Sequence, residues 1–327
     1  MRRKQLRKAA AWLIKIAIVC LAFYYIYRQV FLKHDLDELT QAAEHSVGKH
    51  EWPYLITVLL MMLLNWGIEA VKWRYLVKKV ETISFKRAVS AIFSGVTVSV
   101  FTPNKIGEYG GRVFHLKSEH RLDAVVITLI GSMMQLMVTL LAGVISSVFF
   151  YTCYFDSDDY LQDYFFYAAL FVTVALIGLM AVAFFRRMLL KRAAHRIGLM
   201  NWARKYLRAL TYYEGRELLR VLLYSVSRYF VFSGQLYLLL ITFDVHISVT
   251  QALILLPMMF FMITVIPKPI AFAELGVRAS TAIYFISYVS PNQLGVLLAM
   301  FFLWIINLAI PALLGSIFIL RMKIISR

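Results

Sequence analysis

Apolar runs about as long as a bilayer crossing, separated by loops whose charge alternates in sign, constrain this chain more than any other feature. Inside hydrocarbon a backbone must satisfy its own hydrogen bonds, so such runs are helices unless a break is buried in protein or lines a water-filled cavity. Crossing the ~30 Å core takes about 20 residues at ~1.5 Å each. Runs of that order lie at about residues 11–32, 52–71, 124–150, 164–185, 218–243 and 294–320. With 61% of the 327 residues hydrophobic and 16% charged, a soluble domain is excluded.

The loops orient these runs. The formal charge is +17, which in a soluble protein points to nucleic acid. Here the bases sit between apolar runs, so they read as the Lys and Arg excess of cytoplasmic membrane loops, and no nucleic-acid partner is expected. Five bases fall within residues 1–10 and six within 72–87, and ten within 186–220. The intervening loops are acidic: 33–51 holds five carboxylates, and 151–163 holds four aspartates and no Lys or Arg. The first run is expected to be a retained helix, since no small-residue cleavage site follows it. Both termini are then cytoplasmic.

Two apolar segments are too short to cross. Residues 88–102 end at Pro103, with bases on both sides. Residues 252–266, interrupted by Pro257, are closed by Pro267 and Pro269, and a second short run follows at 279–289. Each pair of flanks lies on one side, so each segment is expected to form a re-entrant hairpin. The breaks share a pattern. Pro103-Asn-Lys-Ile-Gly-Glu108-Tyr-Gly-Gly-Arg112 and Pro269-Ile-Ala-Phe-Ala-Glu274-Leu-Gly-Val-Arg278 both fit Pro-x4-Glu-x-Gly-x-Arg, 166 residues apart. Proline and glycine interrupt helices, and Gly107, Gly110 and Gly276 join the prolines as expected break points.

The expected fold is therefore an all-α polytopic membrane protein with about six full spans and two re-entrant helical hairpins in an inverted-topology repeat. It forms one integral membrane domain, residues 1–327. Its pseudo-repeat halves run over about 52–150 and 218–320, with a basic amphipathic cytoplasmic segment at about 186–217. In that segment Leu199, Trp202, Tyr206, Leu207 and Leu210 interleave with the bases, as in a helix lying on anionic headgroups. Inverted repeats whose broken segments meet near the midplane are the layout of many secondary transporters.

Charge placement names the candidate site. Glu and Arg are the side chains hydrocarbon tolerates least, so Glu108, Arg112, Glu274 and Arg278 at the breaks, with Arg228 inside the run at 218–243, are expected to face a polar pocket. Three guanidiniums suit a phosphate, whose oxygens they match bidentately, better than a cation. The glutamates could hold the arginines while the site is empty, contact a cationic headgroup, take up protons in exchange for substrate, or pair with the arginines purely to fold the hairpins. On the run at 124–150, Thr128, Gly131, Gln135, Thr139 and Ala142 form a small, weakly polar stripe. Such a stripe suits close helix packing or a polar cavity. No G-x-S-x-G, H-E-x-x-H or P-loop is present, and Cys20 and Cys153 have no nearby metal-ligand partners. No catalytic residue, metal or cofactor is expected.

At these same residues the chain resembles the lysylphosphatidylglycerol synthase transmembrane-region family, flippase-like membrane proteins that occur alone or fused to a soluble aminoacyl transferase. The similarity rests on Lys72-Trp73-Arg74-Tyr75-Leu76, on Pro103 with Gly107-Glu108, and on Glu274-Leu275-Gly276-Val277-Arg278. Two departures bear on the substrate. Arg112 stands four residues after Glu108 where members have three, and Glu274 precedes Leu275-Gly276 while Ala279 stands where an acid often follows the Arg. The resemblance implies movement of an aminoacylated phospholipid or a polyprenyl-phosphate-linked lipid between leaflets of the bacterial cytoplasmic membrane. The residues alone imply a transporter of an anionic, lipidic substrate, with membrane lipids and anionic headgroups as partners and a homo-oligomer left open. The alternative is a membrane component or partner of a lipid-modifying enzyme. An aminoacylating enzyme is disfavoured, because a cytoplasmic loop of about 35 residues is too small for a transferase domain.

Overall fold

A computed structural model describes residues 52–100, 102, 105–154, 160–185, 212–266 and 274–321, with helical positions also at Leu13, Ile16, Ala17, Cys20 and Tyr24. The remainder of the first run and the basic segment at 186–211 lie outside the described residues. What is described is mostly helix, with no strand among the described residues: an all-α polytopic membrane protein. Among the described residues three helices are long and apolar enough to cross a bilayer: α1 (Trp52–Val77), α4 (Arg121–Tyr154) and α9 (Gln293–Arg321). α6 (Gly215–Thr242) has the length but carries Arg216, Glu217, Arg220 and Arg228, and α5 (Tyr160–Phe185) packs mainly on α4.

α1 shows how the sequence sorts its faces. Val58, Met62, Asn65, Trp66, Glu69, Lys72, Trp73 and Leu76 recur at spacings of three and four and are buried. Ile56, Leu59, Leu60, Leu63 and Leu64 occupy the other face and are exposed. In water such a leucine face would be a liability; against lipid tails it is the ordinary outer surface. The inward face is the more polar one. α1 also runs to Val77, six residues past the expected end, which brings Lys72 inside the helix bundle and out of the loop to which its charge had assigned it.

The first short segment is α2 (Phe85–Ser99), started by the Ser84 hydroxyl accepting from the Arg87 amide, 3.3 Å. Its 15 residues reach about 22 Å, too little to span. The chain then turns through Lys105, at φ 57°, and returns as α3 (Gly107–Val113). α2 and α3 cross at a pair of glycines: a Cβ on Gly111 would come within 2.6 Å of the Gly95 Cα. The second short segment is α7 (Val249–Val265), capped by the hydroxyl of Ser248 as α2 is by Ser84, followed by α8 (Glu274–Ile286) packed against it.

Three expectations need correction. Gly110 and Gly276 lie inside α3 and α8 rather than at breaks, and neither has the positive φ that would require glycine. Pro257 does not interrupt its segment; α7 runs through it to Val265. A proline inside a membrane helix removes one donor, and neighbouring helices and local backbone adjustment can compensate. Pro103, Pro267 and Pro269 fall outside the described residues, and Gly107 opens α3.

The halves interlock. α1 packs along α6, while each hairpin seats on the last long helix of the opposite half: α2 on α9, and α7 on α4. Both seats are made by glycine. A Cβ on Gly315 of α9 would meet the Phe93 carbonyl oxygen of α2 at 2.1 Å, and one on Gly143 of α4 would meet Phe261 of α7 at 2.4 Å. Small residues that let helix backbones approach are the common device of membrane packing. Just past α3, His115 ties the first hairpin down. Its ring meets the Ser94 hydroxyl at 2.8 Å and its carbonyl accepts from Arg87 Nε at 2.6 Å. Burial first, then the Arg87 charge, pushes its imidazole down to about 4, so it is neutral at ordinary pH. Tyr213, just before α6, donates to the Leu76 carbonyl at 2.6 Å and joins the neighbouring ends of α1 and α6.

Candidate functional site

The site is built around Glu69. In mid-bundle on α1 it is 3% exposed, and one turn on the same face brings Lys72 to it: Nζ to Oε2 is 2.7 Å. Arg112, 3% exposed on α3, donates from Nη1 to Oε1 at 2.8 Å. Arg228 of α6 donates from Nη1 to Oε2 at 2.9 Å. One carboxylate thus holds three cations from three helices. Arg112 also pairs with Glu108 one turn earlier on α3, and the Gly95–Gly111 crossing lets that turn come close enough for Arg112 to reach α1.

Arg228 is fixed on two further sides. Its Nε donates to Asn65 Oδ1 at 3.0 Å, and its guanidinium lies 5.1 Å from the centre of the Trp66 ring. Asn65 Nδ2 donates on to Asn307 Oδ1 at 3.2 Å. Asn307 sits in a π turn of α9, Ile305–Ala309, where the Ile310 amide bonds back to the Ile305 carbonyl. Pro311 follows and has no amide with which to close the ordinary bond to Asn307. The widened turn absorbs that loss and aims the Asn307 side chain at Asn65.

These groups face a cavity of about 380 Å³ between the two halves. Glu69, Lys72, Glu108 and Arg228 line it, joined by Lys105 from the turn of the first hairpin and Arg278 from α8 of the second. Among the described residues four bases thus face two carboxylates. The stripe on α4 divides its work: Thr128 accepts from Trp73 Nε1 at 2.9 Å and Gly131 packs on Leu76, while Gln135 and Thr139 line the cavity. Among the described residues no group of three or more His, Cys, Asp or Glu could hold a metal ion.

Of the residues singled out from sequence, Glu108, Arg112 and Arg228 join one ionic network, and Arg278 lines the same cavity. The side chain of Glu274 lies outside the described residues. Sequence reasoning missed Glu69, Lys72, Asn65 and Asn307. A signal existed for Glu69: it is the sole charge within the apolar run at 52–71, and an acid in such a run needs a partner.

A model of one protein family, described as the lysylphosphatidylglycerol synthase TM region, matches residues 12–319. No curated protein matches the chain.

Proposed function

The chain belongs to the lysylphosphatidylglycerol synthase TM-region family, and from that premise we propose that it is a transporter moving an acidic lipid between leaflets of the bacterial cytoplasmic membrane, with both termini in the cytoplasm. The observation that carries this reading is an ionically ordered cavity at the meeting of two hairpin-bearing halves, lined among the described residues by four bases and two carboxylates. Charges at that depth are costly, and sequences retain them where they serve a pathway. Membrane lipids with anionic headgroups are the partners this chemistry selects, and transport without catalysis is the activity.

The geometry supplies a way to bind and release. Arg112 is sealed between two carboxylates, whereas the Arg228 side chain is 21% exposed and belongs to the cavity wall. A phosphate entering the cavity competes with Glu69 for Arg228, while Lys72 and Arg112 keep the Glu69 carboxylate neutralised. When the phosphate leaves, Glu69 recaptures Arg228, so the empty site holds no unpaired arginine. Arg278 and Lys105 stand on separate hairpins, so a headgroup bridging them would register the positions of both.

The test is transport in liposomes. Purified protein is expected to move a headgroup-labelled acidic phospholipid across the bilayer, and Arg228→Ala and Arg278→Ala are each expected to slow this at least tenfold. Transport unchanged in both variants would sink the proposal.

A further inference from the structure

We propose that α9 is hinged at its π turn, and that Asn307, acting through Asn65, ties the hinge to Arg228. This rests on the transport reading above, to which it adds the moving part. The first observation is the hydrogen-bond ladder of α9. The Ile305 amide bonds back to the Phe301 and Phe302 carbonyls and the Ile310 amide to the Ile305 carbonyl, so the helix widens over Ile305–Ala309. Asn307 puts its own side chain into the ladder, donating through Nδ2 to the Leu303 carbonyl at 3.3 Å. A regular helix would regain little here. Pro311 has no amide for the Asn307 carbonyl, and in an α-helix its ring would crowd that carbonyl. A ladder already interrupted, with little to gain by closing, bends at that place at small cost.

The second observation is what the two ends of α9 hold. Gln293–Trp304 packs on α6 and α8. Its cap, Asn292, donates to the Phe243 carbonyl at 3.1 Å, Gly295 lies against the same carbonyl, and the Phe302 ring is 5.0 Å from the Phe243 ring. Ile310–Arg321 packs on α2 instead. There the Ala312 carbonyl accepts from Thr97 at 2.7 Å, and Phe318 stacks on Phe93 at 6.3 Å. The π turn thus separates the part of α9 joined to the second hairpin from the part joined to the first. Motion of one hairpin against the other loads the helix at this turn.

The third observation is where the turn points. Asn307 is 8% exposed, lines the cavity and accepts through Oδ1 from Asn65 Nδ2 at 3.2 Å. Asn65 accepts in turn from Arg228 Nε at 3.0 Å. The sense of this chain is fixed at both ends, because the Leu303 carbonyl only accepts and a guanidinium only donates. Rotating Asn307 with the helix breaks the chain and leaves the Arg228 guanidinium with Glu69 and the Trp66 ring. Asn307 is therefore a positioning residue. It sets how firmly Arg228 is held, according to the shape of α9.

The experiment reads the distance between the hairpins. With Cys20 and Cys153 replaced, spin labels are placed by Phe85→Cys on α2 and Tyr284→Cys on α8, both exposed positions. The full chain is measured in phosphatidylcholine nanodiscs with and without phosphatidylglycerol. The parent is expected to show two distances whose ratio changes with phosphatidylglycerol. Pro311→Ala restores an amide to the helix and is expected to withstand heat at least as well as the parent. It is also expected to leave a single distance, and to lower the maximal rate of lipid movement in liposomes roughly tenfold without raising the lipid fraction that gives half of it. Asn307→Leu keeps the bulk and removes the amide; both distances are expected to remain, without their response to phosphatidylglycerol. Two distances that persist unchanged in Pro311→Ala, or earlier thermal unfolding of that variant, overturn the hinge. Asn307→Leu answering the lipid as the parent does overturns the link to Arg228. One distance in the parent under both conditions overturns the whole inference. Two lipid-responsive distances in a parent that moves no labelled lipid leave the hinge standing and overturn the transport reading alone.

Discussion

Glu69 is the residue whose loss costs most. Removing one partner from a buried ionic network leaves the others charged and uncompensated, a penalty of about 3–5 kcal/mol. Glu69→Gln keeps the shape and removes the charge shared by Lys72, Arg112 and Arg228, so it is expected to destabilise by that amount. Glu108 is 24% exposed and pairs only with Arg112 among the described ion pairs, so Glu108→Gln is expected to cost no more than about 1 kcal/mol. Thermal unfolding of both variants in one detergent measures the difference. An equal loss would mean that the network is not centred on Glu69. The arginines of this network were legible in the sequence because they stood beside helix breaks or inside an apolar run. Lys72 was not, because a loop rich in bases follows the run and Lys72 was counted with it, which left Glu69 as a lone charge with no partner in view. Hydropathy alone cannot say that the helix continues to Val77 and carries Lys72 to the protein's interior.

Among elements, the hairpins were foreseeable from length and from the sign of their flanks, since 15 residues cannot cross a bilayer whatever their composition. How they seat was not, because glycine contacts between distant helices leave no local pattern. At the Gly95–Gly111 crossing backbone faces backbone. Gly111→Ala is expected to force α2 and α3 apart, cost about 1–3 kcal/mol and weaken Arg112's reach to Glu69. Gly110→Ala, one position away with nothing within 4 Å of its added methyl, is expected to be neutral or slightly stabilising in its helix. The two melting curves measured side by side test this; a Gly111→Ala protein as stable as Gly110→Ala would mean that the helices relax without cost.

For the whole molecule, loop charge gave the order of spans and the idea of two opposed halves, while the structure contributes their exchange of partners. The opposed senses of the hairpins have a direct check. With Cys20 and Cys153 replaced, a cysteine introduced as Pro291→Cys is expected to react with an impermeant maleimide in intact cells, and Ser118→Cys to react only after the membrane is opened. The reverse labelling would turn the halves over. The charged lining of the cavity was legible only in part. Arg228, Arg278 and Glu108 could be listed from the chain, but the approach of Asn307 to Asn65 rests on the π turn before Pro311, which no periodicity announces.

The seating of each hairpin on the far half also bears on how the protein is made. Thr97 of α2 donates to the Ala312 carbonyl at 2.7 Å, across a separation of 215 residues, and Asn65 reaches Asn307 across 242. During synthesis the first half must wait in the membrane with the seat for α9 vacant, and α4 must wait for α7. Glu69 can take Lys72 and Arg112 at once, since all three are made early, but Arg228 arrives more than a hundred residues later. The ionic core therefore assembles in two stages, and the cavity comes into being only when the last helix enters the bilayer.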